Sequence, residues 1–344
     1  MGTKSGLPRS FTSYRNAVRV ELKEVIDSCP PALGNMLRYH MGWQDEDGDP
    51  CNRESGKSIR SVLCLLSCQA VGGETSKLIP AAAAVELIHS FSLIHDDIED
   101  ASCERHHRPT VWRLWGQSQA INAGDAMFTL AYLALVKLKG KGIADEKIVS
   151  SAKMLSRACL DLCEGQYLDV EYEKRLDISV DDYLDMAGKK TAALFAVATS
   201  LGAYLGGKDG RLVEVFHVFG RELGVAYQIC DDILGIWGAE ESTGKSSGDI
   251  SQRKKTLPVV YALENSSGGT RRKLEKLYSR KSIGDEDIRE VMRILERLGA
   301  RDYAENLAEQ HYCKALAQLE ATQIDTSRQA PLREIGRFLL KRGF

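Results

Sequence analysis

Apolar residues recur at intervals of three and four along almost the whole chain, and strict alternation never lasts long enough to predict a sheet. The clearest case is residues 84–100, AVELIHSFSLIHDDIED, in which Ala84, Leu87, Ile88, Phe91 and Ile94 line one helical side and Asp96, Asp97 and Asp100 close the run. The same periodicity predicts a helix over 11–28, stopped by Pro30 and Pro31, and another over 57–70 after the turn-rich loop 43–56. Further helices follow over 118–138, 143–175, 179–206 and 209–238, with short Gly- and Lys-containing joints between them. Over 285–298, Ile288, Val291, Met292, Leu295 and Leu298 form one stripe, and Gly299 can end that helix. The pattern therefore predicts an all-α protein, with a flexible tail over 1–10 and a single helical domain over 11–344.

Composition narrows the function classes. A net charge of −2, from 46 basic and 48 acidic residues, gives no general attraction for nucleic acid or for an anionic membrane, so any phosphate binding must be local. Nine cysteines without paired metal-ligand spacing or a secretory signal read as reduced thiols in a cytoplasmic protein. The apolar run 191–206 is too short and too often interrupted by polar residues to span a bilayer, and no transmembrane segment is expected.

The acidic end of 84–100 then needs a chemical account. Asp96 and Asp100 stand one turn apart, a spacing that sets like charges against each other. They read either as a solvated helix end or as ligands for a hard divalent ion; magnesium takes one or two carboxylates and keeps substrate phosphates as its other ligands. Lys57 and Arg60, in the first turn of a predicted helix just after Gly56, are unfavourable for the helix dipole unless an anion sits there. His89 lies two turns before Asp96, and Arg105, His106, His107 and Arg108 gather cationic or protonatable groups behind the acidic end. Asn122, Gly124 and Asp125, Gly165, Gln166 and Asp169, and Lys190 with Thr191 place polar groups on apolar helices, as a shared polar cavity would.

A second acidic helix end decides between the readings. Residues 227–238, YQICDDILGIWG, place Asp231 and Asp232 after another apolar run, followed by TGK at 243–245, Asp249 and KKTLP at 254–258. Two such ends could face each other across a helical bundle and build an internal metal site.

In this order, GK..R, H.FSLIHDD, RPTVW, AINAGD, GQ..D, KT, YQ..DD, TGK..GD and KKTLP make the chain resemble the trans-isoprenyl diphosphate synthases, most of all the bacterial geranylgeranyl diphosphate synthases. The resemblance implies the isoprenoid synthase fold, antiparallel helices around a deep apolar cavity, as a homodimer. It implies that Asp96, Asp100 and Asp231 coordinate three magnesium ions on an allylic diphosphate, with Asp97 supporting them and Asp232 included in the metal set. Arg105, Lys190 and Lys245 would meet the same diphosphate. Gly56, Lys57, Arg60 and His89 would hold isopentenyl diphosphate, and Thr191 and Gln228 would flank the allylic cation. Phe91, five residues before the motif and beside Ser92, would act as the floor that stops elongation near the twenty-carbon product.

Two positions depart from the family pattern. Gly235 stands where many relatives carry the last aspartate of the second motif, and His106 stands where the family has the second of two arginines. A partly neutral imidazole is a weaker hold on a diphosphate than a bidentate guanidinium, unless Arg108 compensates. The rival readings are a terpene cyclase or lyase on the same fold, which binds no isopentenyl diphosphate, and a non-catalytic partner subunit. The retained Lys57 and Arg60 oppose the first, and the intact DDIED opposes the second.

Overall fold

The computed structural model describes residue 7 and residues 9–51, 53, 56–238, 248–280 and 283–341. Its helices in chain order are α1 (Arg9–Ile26), α2 (Pro31–His40), α3 (Ile59–Ala70), α4 (Ile79–Glu99), α5 (Val111–Trp115), α6 (Gln117–Val136), α7 (Asp145–Tyr172), α8 (Val180–Ala187), α9 (Ala193–Gly206) and α10 (Arg211–Trp237). Shorter helices follow at Gly248–Ser251, Leu257–Asn265, Gly268–Tyr278 and Asp285–Arg297, then Ala300–Glu320 and Thr326–Leu340. The protein is all-α, as its periodicity predicts. Among the described residues the only strands are β1 (Glu104–Arg105) and β2 (Arg108–Pro109), an antiparallel pair. Two residues per strand are too few for alternation to reveal, which is why the sequence gives no sign of them.

Packing divides the chain into two compact units. The first comprises Met1–Cys159, Val197–His217 and Ile324–Leu332; the second comprises Leu160–Ala196, Val218–Gln323 and Arg333–Phe344.

In the first unit α4 is an interior helix. Ala81 to Val85, Leu87 and Ile88 have no exposed surface, because α4 packs on α1, α3 and α6. A helix apolar on nearly all sides belongs inside a core. By length and apolarity Thr75–Glu99 and Gln117–Lys141 would also suffice to cross a membrane, but most of the first is enclosed by its neighbours. Gly124 lets α4 and α6 approach closely, since a side chain there would run into the His95 ring. That contact accounts for the glycine of the AINAGD stretch, while Asn122 and Asp125 are exposed and Asp125 faces His95 Nε2 at 3.8 Å.

The second unit has its own core. Ile236, Ile250, Val259, Leu263, Leu274, Val291 and Leu295 are buried together, so the stripe expected over 285–298 is the packed face of Asp285–Arg297. The run expected as one helix over 179–206 is α8 and α9 joined by a single π turn, Gly188–Ala192. Such a turn widens the helix by one residue and is frequent at functional sites.

Candidate active site

The helix geometry of α4 sorts its three aspartates. Asp96 and Asp100 are partly exposed on one face, whereas Asp97 is 2% exposed and turned inward. Arg105 straps the pair: its Nε donates to Asp97 Oδ1 at 2.9 Å and its Nη2 to Asp96 Oδ2 at 3.2 Å. Burial raises the Asp97 carboxyl to about 6, against the lowering pull of Arg105.

Arg105 reaches back because the chain reverses at once. His106 and His107 form the two-residue loop between β1 and β2, both with positive φ, 51° and 58°. This is the geometry of a tight hairpin turn, usually filled by Asn and Gly. The RPTVW stretch fastens the turn to the body. Thr110 Oγ1 and Trp112 Nε1 each donate to the Ser102 carbonyl at 2.8 Å, and Tyr39 donates to the Pro109 carbonyl at 2.7 Å. Arg108 is nearly buried; its Nη2 donates to the Tyr39 carbonyl at 2.6 Å and its guanidinium stacks on the Tyr39 ring at 4.0 Å. It ties the hairpin to α2 while lining the same small pocket as Arg105 and His106.

A basic group lies about two turns earlier along nearly the same face of α4. Arg60 Nη1 and His89 Nε2 are 3.1 Å apart. Guanidinium has no acceptor, so this ring nitrogen accepts and the proton sits on Nδ1. Burial, followed by the cation Arg60, holds His89 well below the usual histidine range, and the ring is neutral. The helix expected to begin at 57 begins at Ile59. Ser58 is left-handed at φ 49°, Gly56 sits at φ 123°, and Lys57 therefore leaves the chain from an exposed loop ahead of the helix. Glu86, a carboxylate buried on α4, accepts from Ser61 Oγ at 2.8 Å and also bonds Ser58, fixing this loop. The sequence signal for Glu86 is a lone acid within the apolar run AAAAVELIHS.

Phe91 is half-buried on α4, and Ser92 Oγ donates to the His89 carbonyl at 2.8 Å. The Phe91 ring meets His95 at 4.9 Å and Phe128 at 5.4 Å, both edge-on.

In the second unit the polar residues named from the sequence do converge. Thr191 Oγ1 donates to Gln228 Oε1 at 2.6 Å, and Gln228 Nε2 donates to Asp232 Oδ1 at 2.8 Å. Asp232 Oδ2 also accepts from Tyr183 Oη at 2.6 Å and from the Leu257 N–H at 2.8 Å. Buried and bound to three protein donors, Asp232 orients its neighbours; burial raises its carboxyl to about 7. Asp231, the next residue, is exposed. Lys190, in the π turn, pairs with Asp169 of α7, and Gly165 of α7 lies so close to the Lys190 backbone that any side chain there would collide with it. Beside Gly235 lies the Asp249 carboxylate, in the space that a side chain at 235 would need. Lys245 lies outside the described residues.

Among the described residues no three His, Cys, Asp or Glu side chains form a closed metal cage. Paired carboxylates such as Asp96 and Asp100 fit an ion that keeps oxygen ligands from its substrate, which is how magnesium binds phosphates.

The sequence profile described as polyprenyl synthetase matches residues 49–295. The chain is 35% identical over 325 residues to a (2E,6E)-farnesyl diphosphate synthase of Mycobacterium tuberculosis, covering 93% of this chain and 89% of that one. It is 38% identical over 301 residues to a geranylgeranyl diphosphate synthase of the same species, covering 87% and 84%. The crystal structure of a polyprenyl synthetase from Streptomyces coelicolor A3(2) superposes with a TM-score of 0.89 at 35% identity, over 96% of this chain and 98% of that one.

Proposed function

We propose, for a chain that belongs to the polyprenyl synthetase family and is a prenyl diphosphate synthase, that it joins isopentenyl diphosphate to an allylic diphosphate and releases geranylgeranyl diphosphate. The observation that carries the reading is that α4 bears two unlike anion-handling groups. Asp96 and Asp100 offer carboxylates for a magnesium-bound diphosphate, and Arg60 with His89 offers donors to a diphosphate directly. Two kinds of site suit two diphosphates, where a cyclase needs one.

By the resemblance, Asp96 and Asp100 would hold magnesium, as would Asp231, and the metal would supply charge neutralisation of the leaving diphosphate. The resemblance assigns three ions to this task; Asp97 and Asp232 support the ligands from behind, and Arg105, Lys190 and Lys245 add cationic contacts. Thr191 and Gln228 direct oxygen dipoles toward the allylic cation. Gly56, Lys57, Arg60, His89 and His106 hold isopentenyl diphosphate, whose double bond attacks that cation. Apolar surroundings keep water away from it. The farnesyl and geranylgeranyl synthases among its relatives differ in product, and Phe91 favours the longer of the two. The exposed apolar side chains Leu133 and Val136 on α6 and Val149 on α7 fit burial against a second copy, as a homodimer would provide.

The test is an incubation of purified protein with magnesium, isopentenyl diphosphate and an allylic diphosphate, followed by product analysis. A longer diphosphate is expected. A hydrocarbon or alcohol would make the protein a cyclase, and no turnover would make it a partner subunit.

A further inference from the structure

Helix α3 is not capped by its own N-cap residue. Ser58 lies in the left-handed region, at φ 49° and ψ 39°, and its side chain makes no capping hydrogen bond. An N-cap serine is ordinarily extended and accepts from an amide of the first turn. Here the acceptor comes from another helix. Glu86, buried on α4, receives the Ser61 Oγ proton at 2.8 Å, the Ser61 N–H and the Ser58 hydroxyl, so one carboxylate gathers both the N-cap and the first turn of α3. Ser61 Oγ also lies 2.9 Å from the Ser58 carbonyl, but it has one proton to give and the charged acceptor has the stronger claim on it. We infer that Glu86 is a positioning residue for isopentenyl diphosphate: it caps α3 from α4 and thereby holds Lys57 and Arg60 where that diphosphate meets them.

The order of residues makes the link direct. Each cation immediately precedes a serine that Glu86 holds, Lys57 before Ser58 and Arg60 before Ser61, so fixing the two serines fixes the points from which both cations leave the chain. His89 follows Glu86 by three residues on α4 and meets Arg60 Nη1 at 3.1 Å, so α3 is tied to α4 at two successive points. The same helix α4 ends at Asp96 and Asp100, and the cap therefore also sets the cations of α3 in register with those carboxylates. A carboxylate at a helix N-terminus satisfies an orphan amide and suits the macrodipole. It also occupies the Ser61 amide, which a diphosphate arriving at this end would otherwise claim, and leaves that anion to the side chains. Folding alone asks for no charge here, because Ser58 could cap its own helix without the cost of desolvating a carboxylate among Ala82, Ala83 and Val85.

The inference rests on the proposed condensation and deepens it. The test is steady-state kinetics with each substrate varied in turn, on wild type, Glu86→Gln, Ser61→Ala and Lys57→Ala, with denaturant melts of the same proteins. Glu86→Gln should raise the KM for isopentenyl diphosphate about tenfold, change kcat less than about twofold, and leave the allylic KM and the magnesium requirement unmoved. The sign is decisive. By charge alone, removing an anion near Arg60 would favour an incoming diphosphate and lower that KM, so a rise reads the loss of position. Ser61→Ala should raise the same KM about threefold. Alanine is the best helix former, so this variant tests the cap even if Glu86→Gln fails to fold. Lys57→Ala should raise the same KM as well. If it does while the other two variants leave that KM unchanged, lower it, or raise both substrates' KM together with a loss of stability, the cap assignment is overturned and the condensation stands. Protein that fails to condense the two substrates, or in which Lys57→Ala leaves this KM unchanged, would overturn the underlying reading as well.

Discussion

Phe91 does not stand alone at the proposed floor. Behind it come Phe128, 5.4 Å away, and Tyr132, 5.2 Å further on, whose hydroxyl pairs with Ser156 at 2.8 Å. Phe91→Ala should lengthen the product, and Phe91→Ala with Phe128→Ala should lengthen it further; chromatography of the products that finds both distributions unchanged would remove the floor from this position. Gly235→Asp looks from sequence like the repair of an incomplete motif. The structure gives the opposite expectation, since the new side chain meets Asp249 and adds negative charge beside buried Asp232. Turnover should fall at least about tenfold, on the order of 1.4 kcal/mol, with no lower magnesium requirement in a metal titration. At this scale the aspartates, Arg105, Thr191 and Gln228 were legible because each belongs to a short motif. His40, in the small pocket beside His106, was not, because its neighbours come from other elements; Glu86 carries only the faint mark of a lone acid in an apolar run, and Asp249, named with its motif, gave no sign of its approach to Gly235.

The π turn joining α8 to α9 is held by its contact with α7. Gly165→Ala would push a methyl into the Lys190 backbone, where no flexible side chain can yield. We expect a loss of about 1–3 kcal/mol in stability, typical of overpacking, and a larger fall in kcat than in isopentenyl diphosphate affinity, because Lys190 and Thr191 move together. Denaturant melts and steady-state kinetics on the same variant check both. The longest helices before 240 were readable to within a few residues, since long apolar periodicity survives tertiary packing, whereas α2 and helices such as Ala300–Glu320 and Thr326–Leu340 were not predicted. Their interruptions were less so: Lys57 and Ser58 fall outside α3, and the π turn interrupts a run whose residues all favour helix. Hydrogen-bond pattern, not composition, decides those positions.

At the scale of the molecule, each unit closes around its own apolar core, and Lys255 is a charge enclosed by the second. It is 4% exposed, its Nζ donates to the Glu173 carbonyl at 3.1 Å, and it lies over the Tyr278 ring at 5.1 Å. Burial, followed by Arg253, lowers it to about 8. An unfolded lysine titrates near 10.4, so between these values the unfolded chain binds more protons and stability rises with pH. Lys255→Met should lose that dependence. Its stability relative to wild type should decline by about 2 kcal/mol between roughly pH 7.5 and 9.5, read from denaturant melts at each pH. All-α character was legible from periodicity, whereas the division into two units was not, since most of its boundaries, those in α7, α9 and α10 among them, fall inside helices. The turn at His106 and His107 also bears on redesign of this chain. A procedure that optimises folding alone would rewrite it as Asn-Gly, the natural choice for two left-handed positions, and would score the change as an improvement. It would thereby remove the two imidazoles that stand between Arg105 and Arg108. Turn stability and side-chain chemistry are separate demands at these two positions, and a folding score registers only the first.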